Sequence, residues 1–282
     1  SAYVDKIGGF DSARFSKVAG IDVLFNAAKS AFTAKLSGVD ANKAFMMYMN
    51  AASAYVDKIG GFDRERFIKT AGNGIARDSF TAKLIGVDAP DSFMMYMNSA
   101  SAYKDAAGGF NATGFINVVT RTTAADVSGF AAKFSAVTGE AITDGNRAFM
   151  MYVAGAVSYV NENGALNRTG YNNVISGLTY KQAGSPEIFE DNIETMMSKA
   201  GLTDAAQAFM MSLAVGASYL GADNVFNASA FTENLNAITG NNIANAQTAL
   251  KDGTAADAVA ALMVAGVSGA ALLGTDKNNA II

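Results

Sequence analysis

Eleven residues, Ser-Ala-Tyr-Val-Asp-Lys-Ile-Gly-Gly-Phe-Asp, occupy positions 1–11 and recur unchanged at positions 53–63. Looser versions begin near Ser101, Val157 and Ala217. Repetition at spacings of roughly 50 to 60 residues restricts a chain to reusing one supersecondary unit, each copy completing its neighbour's core. Five degenerate copies are expected, over residues 1–52, 53–100, 101–156, 157–216 and 217–282, in a single domain 1–282.

Each copy carries three landmarks. The first is a tyrosine followed by a glycine-type turn, at Tyr3, Tyr55, Tyr103, Tyr159 and Tyr219. It reads as a helix stop followed by a helix start. Gly8, Gly60, Gly108 and Asn163 suit the left-handed position that ends a helix. Asp11, Asp63, Asn111, Asn167 and Asn227 are expected N-caps. An apolar residue precedes each cap (Phe10, Phe62, Phe110, Leu166, Phe226), and an aromatic follows four residues after it (Phe15, Phe67, Phe115, Tyr171, Phe231). That is the pattern of a hydrophobic staple.

The second landmark is a helix end with lysine in its last turn, as in Phe-Thr-Ala-Lys-Leu from Phe32 and Phe80, followed by a new cap. Expected caps are Asp40, Asp88, Thr143, Thr203 and Thr254, the last opening a Thr-Ala-Ala-Asp capping box with Asp257. The third is an apolar helix beginning Ala-Phe-Met-Met at Ala44, Ala148 and Ala208, as Ser-Phe-Met-Met at Ser92, and weakly at Ala261. Phe45, Tyr48, Met49, Ala52 and Tyr55 share one face at helical spacing, and Met46 and Met47 widen it. No alternating pattern competes. The expected fold is all-α: helical repeats packed as an array or compact helical bundle.

Composition narrows the chemistry. The 282 residues include no Cys and no His, so cysteine nucleophiles, thiolate metal sites and histidine-based catalysis are excluded. No other spacing advertises a catalytic site, and neither enzyme activity nor a cofactor is expected. Net charge is −4 with no basic block, which gives nucleic-acid binding no electrostatic footing. A cysteine-free chain rich in Ala, Gly, Asn, Thr and Asp is similar in composition alone to flagellins and surface-layer proteins, which points to an extracellular or cell-surface location. The apolar run 258–274 is short for a membrane span and reads as a packed helix.

Four features suggest sites. The turn Tyr159–Tyr171 has the outline of a calcium loop, but positions one and twelve lack the acids that hold the ion. Asn111, Asn167 and Asn227 head glycosylation sequons, although each is also a predicted cap. Glu187, Asp191 and Glu194 share a face of a helix expected to begin at Pro186; a solvated face is the simpler reading than a metal site. The paired methionines could line a pocket for a small apolar ligand or pigment, though core packing is the simpler explanation.

The ends suggest an interface. Residues 1–52 hold six basic and four acidic side chains; residues 217–282 hold two and five. The chain starts within the last turns of an apolar helix, without initiator methionine, as if processed from a longer precursor, and finishes on a full apolar helix. These features predict head-to-tail self-association. Leu262, Met263, Val264, Leu272 and Leu273 of one copy would meet Ser1 and Tyr3 of the next, giving filaments, rings or a surface layer.

Overall fold

The computed structural model describes residues 23–56, 61–179, 191–250 and 253–264. The fold is all-α: fourteen α-helices and two short 3₁₀ turns, with no strand among the described residues. Contacts divide the chain into two lobes. The first holds the described residues up to Thr122 together with Val160–Leu166, and the second holds Thr123–Tyr159 and those from Asn167 onward.

Lobe one contains α1 (Val23–Thr33), α2 (Ala41–Ser53), α3 (Arg64–Gly72), α4 (Gly74–Thr81), α5 (Ala89–Ala100) and α6 (Ala112–Arg121). Lobe two contains α7 (Ala124–Thr138), α8 (Gly145–Gly155), α9 (Arg168–Gly177), α10 (Asn192–Ala200), α11 (Ala205–Gly216), α12 (Ala228–Ala237), α13 (Gly240–Ala249) and α14 (Ala255–Val264). In lobe one α1 packs on α3, and α4 on α6; in lobe two α7 packs on α9, and α10 on α12. The cores are aromatic. Phe32 lies 5.7 Å from Phe67 and 5.0 Å from Phe93, and in lobe two Phe209 lies 5.6 Å from Phe130 and 5.4 Å from Phe134.

The tyrosine turns are more elaborate than a helix stop. Among the described residues, four of them carry the isolated antiparallel bridge of a miniature hairpin: Val56 with Phe62, Lys104 with Phe110, Val160 with Leu166, Leu220 with Phe226. In the last three, the first loop residue accepts a bond three residues on and donates to a carbonyl four on; for Asp105 the partners are Gly108 N and Gly109 O, both at 2.9 Å. This is a three-residue hairpin loop with a left-handed residue at its end. That residue is Gly108 (φ 82°), Gly164 (φ 77°) or Asn224 (φ 64°). The left-handed position of the fourth turn is thus Gly164, one residue beyond the expected Asn163. The hairpin loop fixes it five residues after the tyrosine.

The caps form as expected. Asp63, Asn111, Asn167 and Asn227 each accept an N–H three residues ahead. The backbone N–H of each cap donates to the carbonyl of Tyr55, Tyr103, Tyr159 or Tyr219, at 2.8–3.1 Å. The staple rings meet: Phe62–Phe67 at 5.6 Å, Phe110–Phe115 at 5.9 Å and Phe226–Phe231 at 5.5 Å. The turn tyrosine packs edge-on against the same ring at 5.1–5.3 Å in these three cases. Such aromatic pairs add about 0.5–1.5 kcal/mol beyond area burial.

Several expectations are corrected. The caps near Thr143 and Thr203 are Asp144 and Asp204, one residue later. Their carboxylates accept two-residue-ahead N–H groups at 2.8 Å, where negative charge also favours the helix start. The helix expected from Pro186 begins, among the described residues, at Asn192, capped by Asp191. Met47 is buried, but Met46 is 66% exposed and does not belong to the core face.

Three kinds of side chain reach across to the main chain of a later segment. Tyrosine hydroxyls donate to helix carbonyls: Tyr55 to Met97 (2.9 Å), Tyr159 to Leu213 (2.8 Å) and Tyr219 to Met263 (3.4 Å). Lysines donate to carbonyls at helix C-termini: Lys83 to Thr122 (3.2 Å), Lys133 to Ser176 (2.8 Å) and Lys199 to Asn236 (2.9 Å) and Ile238 (2.6 Å). Asparagine amides donate to the left-handed hairpin residue: Asn117 to Gly164 (2.7 Å) and Asn173 to Asn224 (2.8 Å). Burial raises the pKa of the Tyr55, Tyr159 and Tyr219 hydroxyls, which keeps them protonated donors. Replacing Tyr159 with Phe should lower stability by about 1 kcal/mol, the net worth of one hydrogen bond. Urea unfolding checks this; an unchanged midpoint would show that the hydroxyl contributes nothing.

Candidate functional site

The densest polar cluster joins α7 to α9 in lobe two. Thr123 and Asp126 form a capping box at the start of α7, with the Thr123 backbone N–H donating to the carboxylate at 2.8 Å. The Thr123 hydroxyl donates to the same carboxylate at 2.8 Å. Arg168, at the first turn of α9, adds Nε and Nη2 at 2.9–3.1 Å, and Asn172 adds Nδ2 at 2.9 Å. Five donor atoms therefore converge on one side chain that is 4% exposed. Desolvation pushes the Asp126 carboxyl pKa up, but the bonds from Arg168, Thr123 and Asn172 outweigh it and hold it at about 2. The same pairing raises the pKa of Arg168.

Beyond this cluster an open groove of about 570 Å³ runs along the two helices. Gly129, Ala132 and Ala136 line it from α7, and Ile175 and Ser176 from α9. Lys133 lines it too, donating to the Ser176 carbonyl. Partial desolvation lowers the Lys133 pKa. The chemistry is that of a tie between helices. A carboxylate that titrates near 2 and is fully engaged by donors is a poor base at neutral pH. The lysine is engaged by a helix C-terminus, where a cation is favoured.

The predicted site residues are dispersed. Leu262 and Met263 lie on α14, buried against α10–α13, and the Met263 carbonyl accepts the Tyr219 hydroxyl. Val264 ends that helix. Ser1, Tyr3, Leu272 and Leu273 lie outside the described residues, as does Glu187. Asn111, Asn167 and Asn227 all act as helix caps, and the Asn167 amide also donates to the Asn224 side chain at 2.6 Å. The oxygens suggested for a calcium loop serve the turn itself. Asp105 accepts from Ala107 and Gly109, and Asn161 from Asn163 and Ala165. Among the described residues no group of three or more acidic side chains could hold a metal ion. Residues at loop position twelve are explained by packing. A Cβ on Gly114 would come within 2.7 Å of Val160, and one on Gly170 within 2.5 Å of Leu220. Met47, Met49, Met94, Met97 and Met196 are buried core side chains.

The chain matches no family model, no curated protein and no solved structure.

The Asp126 cluster has a pH signature. The folded pKa is depressed from 3.8 to about 2, so its contribution is complete above the ordinary value and lost as pH falls through the folded one. That shift corresponds to about 2 kcal/mol. Between about pH 5 and pH 2, the native chain should lose that much more stability than an Asp126→Asn variant. Parallel urea titrations of the two would contradict this if their acid slopes were equal.

Proposed function

We propose that the protein is a non-enzymatic structural protein. In this reading it is exported, and its helical copies of about 50 to 60 residues are clasped in series. Copies of the whole chain join head to tail into an extracellular filament or surface layer. The observation that carries the reading is a recurring pair of long-range bonds to main chain: lysines reach from one copy to the next at Lys83, Lys133 and Lys199, and tyrosines tie the start of a copy to its own last helix at Tyr55, Tyr159 and Tyr219. Contacts of this directional kind have no two-fold symmetry, and a heterologous contact between chains generates filaments or rings. The tie-like chemistry of Asp126, Arg168 and Lys133 supports a structural role. The absence of cysteine suits a chain that works outside the cell without disulfides.

Leu262 and Met263 are covered within the chain, so the intermolecular contact falls to Val264, Leu272 and Leu273 on one copy, and Ser1 and Tyr3 on the next. Deleting residues 265–282 leaves the packed part of α14 in place and is the clean test. Light scattering at tens of micromolar should show the whole chain as oligomers or filaments and the shortened chain as a monomer. A strictly monomeric whole chain would overturn the proposal.

A further inference from the structure

The clasps have a direction, and the fifth copy carries almost none of the donors that would continue it. The hydroxyl acceptors Leu213 and Met263 and the caps Asp204 and Thr254 put α11 and α14 in one register, fifty residues apart. In that register Lys199 corresponds to Ala249, which is exposed, and Met196 to Ala246, which is buried within the chain. Met196 stands three residues before its lysine, as do Phe80 and Phe130 before Lys83 and Lys133. In lobe one, Phe80 packs 5.8 Å from Phe115 of the following copy. Asn117 and Asn173 both stand six residues after their caps; the residue six after Asn227 is Glu233. An ionised carboxylate accepts hydrogen bonds and cannot donate one to a carbonyl. The exposed residues of α13 are Gly240, Asn241, Ala244, Asn245, Thr248 and Ala249, all small or polar.

We infer that α12 and α13 form the closed end of the array, a surface built to refuse another copy of this chain. Terminal repeats with a polar outer face serve this purpose in stacked architectures. The inference rests on the proposed repeat organisation and sharpens the assembly reading, because a head-to-tail contact then runs through residues after Val264 and not through α13.

The chain has no cysteine, so single thiols can report on each surface. Asn245→Cys and Leu273→Cys chains are labelled with a maleimide in dilute and in assembled samples. Burial in an interface slows labelling by about tenfold or more, as a protected site must open first. Leu273→Cys should be slowed in the assembled sample and Asn245→Cys unchanged; protection of Asn245→Cys would overturn the inference. If no assembly forms, the assembly proposal fails, and a second variant tests the closed end alone. A Glu233→Asn, Ala249→Lys chain, checked for native helicity and melting, should gain concentration-dependent association by light scattering. A folded double variant with the parent's mass at every concentration would overturn the inference.

Discussion

The arrangement of helices depends on side chains that donate to main-chain carbonyls of a segment roughly forty or more residues away. Tyr55, Tyr159 and Tyr219 do this from the start of each hairpin. Lys83, Lys133 and Lys199 do it onto the C-terminus of another helix. A carbonyl is present whatever residue bears it, so the acceptor side of such a contact tolerates substitution of its side chain. That tolerance explains how segments whose sequences have drifted can meet through the same bonds. Leu213 and Met263 accept the same hydroxyl, and Gly164 and Asn224 the same amide. Buried carbonyls at helix ends also need partners, and the lysines supply them together with a charge of the favoured sign.

The second constraint is the hairpin joint. Three rings converge at the joints of Tyr55, Tyr103 and Tyr219: the turn tyrosine, the phenylalanine before the cap and the phenylalanine four after it. The cap N–H returns to the tyrosine carbonyl, so the joint satisfies its own main chain while its rings enter the core. Gly114 and Gly170 leave room for Val160 and Leu220 of the next hairpin to lie on the helix. The second joint has Arg66 at that place. It is nearly buried, pairs with Asp63 at 2.8 Å, stacks 4.6 Å above the Tyr55 ring and donates to the Ser101 carbonyl. One position thus makes close contact with a later segment by two means, an absent side chain or a long one that reaches over.

Local features were legible in the sequence because they obey local rules. Asp63, Asn111, Asn167 and Asn227 cap helices as their spacing from Phe67, Phe115, Tyr171 and Phe231 requires, and Asn73 separates α3 from α4 where glycines mark a break. Errors of one residue arose where two capping residues stand together, as at Thr143–Asp144 and Thr203–Asp204. Long-range ties were not legible. Lys83 reads as the last-turn lysine of its own helix, yet it reaches the end of another. Arg168 and Asp126 are separated by 42 residues, and no spacing rule pairs them. One signal was available: Thr123–Asp126 spells the same Thr-Ala-Ala-Asp as Thr254–Asp257, and both form capping-box bonds. Met46 shows the converse limit, since apolar character alone placed it in a core that it does not enter.

If main-chain acceptors hold these contacts, donor and acceptor residues must respond differently to truncation. Lys199 donates to the carbonyls of Asn236 and Ile238, while the Asn236 side chain is exposed. The most direct measurement is the urea midpoint of Lys199→Met set beside that of Asn236→Ala. The account predicts a loss of about 1 kcal/mol for the lysine variant and almost none for the asparagine variant. Equal losses, or a larger one at Asn236, would contradict it.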